Sequence, residues 1–137
     1  MRIAVVDGQG GGIGRLIVEK LRQSMGAHAQ ILALGTNSLA TAAMLKAGAT
    51  EGATGESAIV YNSSKVDLIL GPIGIISAYS LMGELSPAMA QAIATSPAQK
   101  LLVPMNKCNI VIAGVEAKTV PQLVDELVAL AKAHAIC

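Results

Sequence analysis

Between an apolar run, Ile3-Ala4-Val5-Val6, and a helical pattern starting near Arg15, the chain places Asp7-Gly8-Gln9-Gly10-Gly11-Gly12-Ile13-Gly14. Five of the seven residues from Gly8 to Gly14 are glycine. A strand that ends in such a loop and passes directly into a helix is the opening unit of a doubly wound α/β sheet. It also leaves backbone N–H groups at the positive end of a helix dipole, where phosphate or carboxylate is the natural guest.

The rest of the chain continues that alternation. Met25-Gly26 suits a helix stop, and Gln30 to Leu34 reads as a second buried strand ending at Gly35. Asn37 or Ser38 can cap a helix that runs to Gly48, and the glycine-punctuated stretch from Ala49 to Gly55 leaves room for a short third strand. Glu56 to Lys65 is read as helix and Val66 to Leu70 as a fourth strand ending at Gly71-Pro72-Ile73-Gly74. Helical stretches are expected from Ile75 to Met82 and from Ser86, with Pro87 at its first position. Lys100 to Met105 is a fifth strand. The short link Asn106-Lys107-Cys108-Asn109 to Ile110-Val111-Ile112-Ala113-Gly114-Val115 predicts an antiparallel partner, because a parallel crossover needs a dozen or more residues. The C-terminal helix carries Val120, Leu123, Val124, Leu127, Leu130 and Ala131 at helical spacing. The expected fold is α/β, a small Rossmann-like, doubly wound, mostly parallel sheet with an antiparallel edge strand, in one domain over 1–137.

Composition narrows the function classes. Hydrophobic residues make up 53% of the chain and charged residues 14%, which excludes a disordered polyelectrolyte. A net charge of +1 gives no electrostatic footprint for nucleic acid or an acidic membrane. The longest uncharged stretch, Leu68 to Gly83, is interrupted by Gly71, Pro72 and Gly74 and is too short to span a bilayer. The start of the chain has no apolar segment followed by a small-residue cleavage site, so the expected location is cytoplasmic. Cys108 and Cys137 match no disulfide framework or zinc spacing, and no metal is expected. From Leu68 to Gln99 the single charged residue is Glu84, which predicts a homo-oligomer burying residues 75–95, with Met82, Met89 and Ile93 at the contact.

Ligands of an open parallel sheet bind at the carboxyl ends of its strands. The candidate binding residues are therefore Asp7, Gly8, Gln9, Gly10, Gly11, Gly12, Ile13 and Gly14 after the first strand, and Thr36, Asn37 and Ser38 after the second. Gly71, Pro72, Ile73 and Gly74 follow the fourth strand, and Asn106 the fifth. Asp7 would repel phosphate unless a metal, a ribose hydroxyl or a backbone donor intervenes; accepting N–H groups of its own loop is the simpler role. The second strand is followed by no acid for a ribose 2'-hydroxyl, and Thr36-Asn37-Ser38 would suit a 2'-phosphate, which favours NADP slightly over NAD. Another nucleotide is equally compatible with the glycine loop. Lys107 beside Cys108 could depress a thiol pKa, but a turn cysteine is the simpler reading, and catalysis is left open.

The spacing G-x-x-x-G-I-G from Gly8 to Gly14 resembles the cofactor loop of short-chain dehydrogenases, with Asp7 where that family has threonine. Tyr61-x-x-x-Lys65 matches that family's catalytic pair but precedes the fourth strand instead of following the fifth, and is read as coincidence. Gly8-Gln9-Gly10-Gly11-Gly12 together with Gly71-Pro72-Ile73-Gly74-Ile75 resembles, over nearly the whole chain, a family of short bacterial proteins catalogued as a domain of unknown function. That resemblance implies a bacterial cytosolic protein and carries over no catalytic residue. The expected function is binding of a phosphate-bearing small molecule, a nucleotide or NAD(P), at the glycine loop. The alternative is a non-catalytic oligomeric sensor or a structural or interaction protein.

Overall fold

The computed structural model describes residues 1–105 and 109–136. Strand β1 (Arg2–Asp7) leads into α1 (Gly12–Met25), β2 (Gln30–Gly35) into α2 (Ser38–Lys46), and β3 (Glu51–Thr54) into α3 (Glu56–Asn62). After β4 (Leu68–Pro72) comes a 3-10 turn (Ile73–Ile76), an irregular strap from 77 to 86, α4 (Pro87–Thr95), β5 (Gln99–Val103) and α5 (Val120–Ile136). The five strands form one sheet in the order β3-β2-β1-β4-β5, and every pairing is parallel. The fold is Rossmann-like α/β, as the alternation of elements predicts.

Each strand feeds both faces. Ile3 and Val5 of β1 pack with Ile17, Val18 and Leu21 of α1 and with Val124, Leu127 and Val128 of α5. Ala4 and Val6 point the other way, into a second core with Ile59 of α3 and Met89, Ala90 and Ile93 of α4. Helix ends are tied down by side chains. Asn37 Oδ1 accepts the Ala40 N–H at 2.9 Å at the start of α2, and Ser86 Oγ accepts the Met89 N–H at 3.3 Å ahead of Pro87. At the far end of α1 the Arg22 guanidinium donates to the carbonyls of Gly26, Ala29 and Gly48, consuming carbonyls that would otherwise lack a donor.

Three expectations need correction. No antiparallel edge strand forms at Ile110 to Val115. Pro104 offers no N–H to continue the ladder, Asn109 and Gly114 take left-handed φ of 56° and 83°, and Val111 stands 87% exposed. Ile75 to Met82 is not a helix, because Tyr79, Leu81 and Met82 have positive φ and the Ser80 hydroxyl donates to the Gly74 carbonyl. The apolar residues expected at a subunit contact divide: Met89 and Ile93 lie in the chain's own core, since α4 turns that face to the sheet, while Met82 is 91% exposed. Among the described residues, no helix is long and apolar enough to cross a membrane.

Candidate functional site

Because all five strands run the same way, their carboxyl ends share one edge, and a cavity of about 500 Å³ opens there. It is lined by Asp7, Gly8, Gln9, Gly10, Gly11, Gly12 and Ile13 from the β1–α1 loop, and by Pro72 and Gly74 after β4. Ser80, Leu81 and Met82 of the strap and Met105 beyond β5 complete it. That size lies within the range of small-ligand sites. Gly14, Gly71 and Ile73 stand beside the cavity without lining it. Asn106, Lys107 and Cys108 lie outside the described residues.

The glycines of the loop differ in what they do. Gly11 has φ +73°, and a Cβ there would lie 2.8 Å from Ala40 Cα. A Cβ at Gly14 would meet Met44 Sδ at 2.7 Å and Asp7 Cβ at 2.8 Å, and one at Gly8 would strike Thr36 Oγ1 and Leu81 Cδ1. These three are glycine because the chain itself fills the space. Gly10 and Gly12 are different: neither has left-handed φ, and among the described residues nothing lies within 4 Å of a Cβ at either. Their N–H groups, and that of Ile13, find no hydrogen-bond partner among the described residues.

Asp7 is buried at the end of β1, where Oδ1 accepts the Gly8 N–H at 2.8 Å and Oδ2 accepts the Gly14 N–H at 2.6 Å. It clamps both ends of the loop, the simpler of its two expected roles. The β2–α2 loop is placed differently from expectation. Thr36, Asn37 and Ser38 do not line the cavity, and Thr36 and Asn37 are bonded to a residue that sequence reasoning did not single out as a ligand-site group. Glu84, from the strap, accepts the Thr36 hydroxyl at 2.6 Å, the Asn37 amide at 2.8 Å and the Gln9 N–H at 2.8 Å, all through Oε1. The one sequence signal for it is its isolation as the single charge between Leu68 and Gln99.

These donors, the Thr36 hydroxyl foremost and then the Gln9 N–H, outweigh partial burial and hold the Glu84 carboxyl below its ordinary pKa of about 4.5. As pH falls, the unfolded chain therefore takes up this proton before the folded one does. The stabilisation is complete above about 4.5 and is lost as pH drops through the lower folded value. Denaturant titrations should show Glu84→Gln less stable than the parent at neutral pH, with the gap closing as pH falls from 4.5 through the lower folded value. A gap of constant size would remove the role of the charge.

Tyr61 and Lys65 lie at the opposite edge. The Lys65 ammonium sits 4.1 Å from the Tyr61 ring centre, and the Lys65 carbonyl accepts from Arg2, at the amino end of β1. The dehydrogenase-like pair is remote from the cavity, as its place in chain order implies.

The family model described as Domain of unknown function (DUF3842) matches residues 2–135. The chain belongs to that family. No curated protein matches the chain. Among solved structures, the chain's fold is similar to a dodecameric FMN-dependent UbiX-like decarboxylase from Escherichia coli O157:H7. Identity there is 15% and the TM-score 0.54, over 100% of this chain and 96% of that one. A universal stress protein in complex with cAMP aligns over 75% of this chain and 97% of its own, at 22% identity and a TM-score of 0.41. The first of these likenesses shows a shared fold.

Proposed function

We propose that the protein binds a phosphate-bearing small molecule, a nucleotide, with its phosphate against the loop from Gly10 to Ile13. One observation carries the reading: Gly10 and Gly12 lack a Cβ although neither backbone conformation nor packing among the described residues demands it. Close approach of a ligand to the backbone is the remaining physical reason for glycine at both positions. The N–H groups of Gly10, Gly12 and Ile13 at the start of α1, without a partner among the described residues, supply donors where an anion would sit. Ile13, Leu81, Met82 and Met105 offer aliphatic and thioether walls for a base or ring. The solved FMN-dependent neighbour makes FMN the first probe; AMP, a smaller mononucleotide with a single phosphate, is the second.

Gly10→Ala and Gly12→Ala should leave the folded state as stable as the parent to within about 0.5 kcal/mol, with Gly12→Ala tending to stabilise the helix. The same variants should weaken FMN or AMP binding at least tenfold in calorimetric titration. Unchanged binding in both would remove the loop from the site.

We also propose that the chain self-associates through the exposed apolar tip of the strap, Ile76, Tyr79 and Met82. The similarly folded decarboxylase is dodecameric. Light scattering after size exclusion should return a multiple of 13.9 kDa, reduced by Met82→Glu. A parent running as a 13.9 kDa monomer at high concentration would overturn this.

A further inference from the structure

We infer, on the foundation of the nucleotide-binding reading above, that Glu84 makes the site selective for mononucleotides and closes it to dinucleotides, NADP above all. In a sheet whose strand order reverses at β1, a dinucleotide lies across that strand. One nucleoside sits over the loop after the neighbouring strand on one side and the other over the loop on the opposite side. Here the strap leaves β4 and crosses over the glycine loop towards β2, bringing Leu81 and Glu84 against Gly8. Glu84 then ties Gln9, Thr36 and Asn37 together, and the Asn37 amide also donates to the Gln9 carbonyl at 2.9 Å. Thr36 and Asn37, two of the three residues that would receive a ribose or a 2'-phosphate after β2, are committed to this network. The cavity lies on the β4 and β5 side, with no residue of the β2–α2 loop in its lining.

Charge works in the same direction. A 2'-phosphate at Thr36 or Asn37 would meet the Glu84 carboxylate, and an anion beside a fixed anion is repelled. The Gln9 N–H is already given to Glu84, leaving the donors of Gly10, Gly12 and Ile13, a set sized for one phosphate. The strap holds its course through local bonds: the Tyr79 N–H donates to the Leu85 carbonyl at 2.7 Å, and Tyr79, Leu81 and Met82 keep left-handed φ between 56° and 67°. Non-glycine residues persist in that region when the surrounding structure over-determines them.

The test is calorimetric titration of the full chain with FMN, AMP, NAD and NADP, for the parent, Glu84→Ala and Glu84→Gln. The parent should bind FMN or AMP at least tenfold more tightly than NADP. Glu84→Ala, which removes both wedge and charge, should lower that ratio at least tenfold, whereas Glu84→Gln, which keeps an acceptor of the same size, should retain discrimination against NAD. Circular dichroism confirms that each variant is folded, and a Glu84→Ala chain that does not fold passes the decision to Glu84→Gln and the parent. A parent that binds NADP as tightly as the mononucleotides overturns the selectivity and leaves the nucleotide site standing. So does a ratio that survives in folded Glu84→Ala. A parent that binds none of the four overturns the nucleotide reading and the selectivity with it.

Discussion

Gly71→Ala is expected to cost about 3 kcal/mol of stability, a large share of what a domain of this size has. Gly71 is in β4, next to the central strand, and a Cβ there would be driven into the Val6 carbonyl oxygen, with Ile75 Cδ1 only 3.1 Å away. Neither obstacle can swing aside: one is backbone of β1 and the other belongs to a fully buried side chain. The added methyl must push β1 and β4 apart where their carboxyl ends support the glycine loop. Urea unfolding should show the midpoint falling with the slope unchanged. A loss under about 1 kcal/mol would mean that the two strands tolerate more separation than their packing suggests. Gly71 belongs to the architecture that supports the cavity, and its sequence context alone cannot separate that from ligand contact.

Asp7→Ala is expected to lose about 2–4 kcal/mol, because the N–H groups of Gly8 and Gly14 lose the carboxylate that receives them in a buried setting. Asp7→Asn keeps one acceptor oxygen but sets an amide N–H against the other donor, so it should recover only part of the loss. Thermal melts of the two variants beside the parent decide this. If alanine and parent melted together, water would be reaching the loop, and the clamp would not be what holds it.

The fold and the site differ in how much the sequence discloses. Strand, glycine loop and helix from Ile3 to Leu21 are local, since apolar run, breaker and 3.6-residue period follow one another directly. The short third strand and the helix from Glu56 also form where alternation places them. The expected strand from Ile110 fails because β-prone residues form a strand only where a ladder accepts them, and Pro104 and the backbone at Asn109 carry the chain off the sheet. The expected helix from Ile75 fails because Ser80 competes for the Gly74 carbonyl, and the segment then spans the glycine loop instead of coiling. Glu84 is the least visible element of the site: it meets Gln9 from 75 residues away, and no periodicity reports such a contact. Within Gly8 to Gly14 the spacing resembles a cofactor loop, but only the space around each missing Cβ divides glycines that serve packing from those left open to a guest.

The strand order also bears on how the chain comes to be folded as it leaves the ribosome. Of these five strands the earliest in chain order is the middle of the sheet, and it must wait for partners on both sides. Its β2 neighbour emerges early, so β1, β2 and β3 with α1 and α2 can assemble while one long flank of β1 is still uncovered. That flank, running from Ile3 to Val5, is sealed only when β4 arrives with Leu68 to Leu70. Until then the nascent protein displays an apolar, unpaired strand edge of the kind that recruits holding chaperones, and a pause in translation before residue 68 would prolong the exposure.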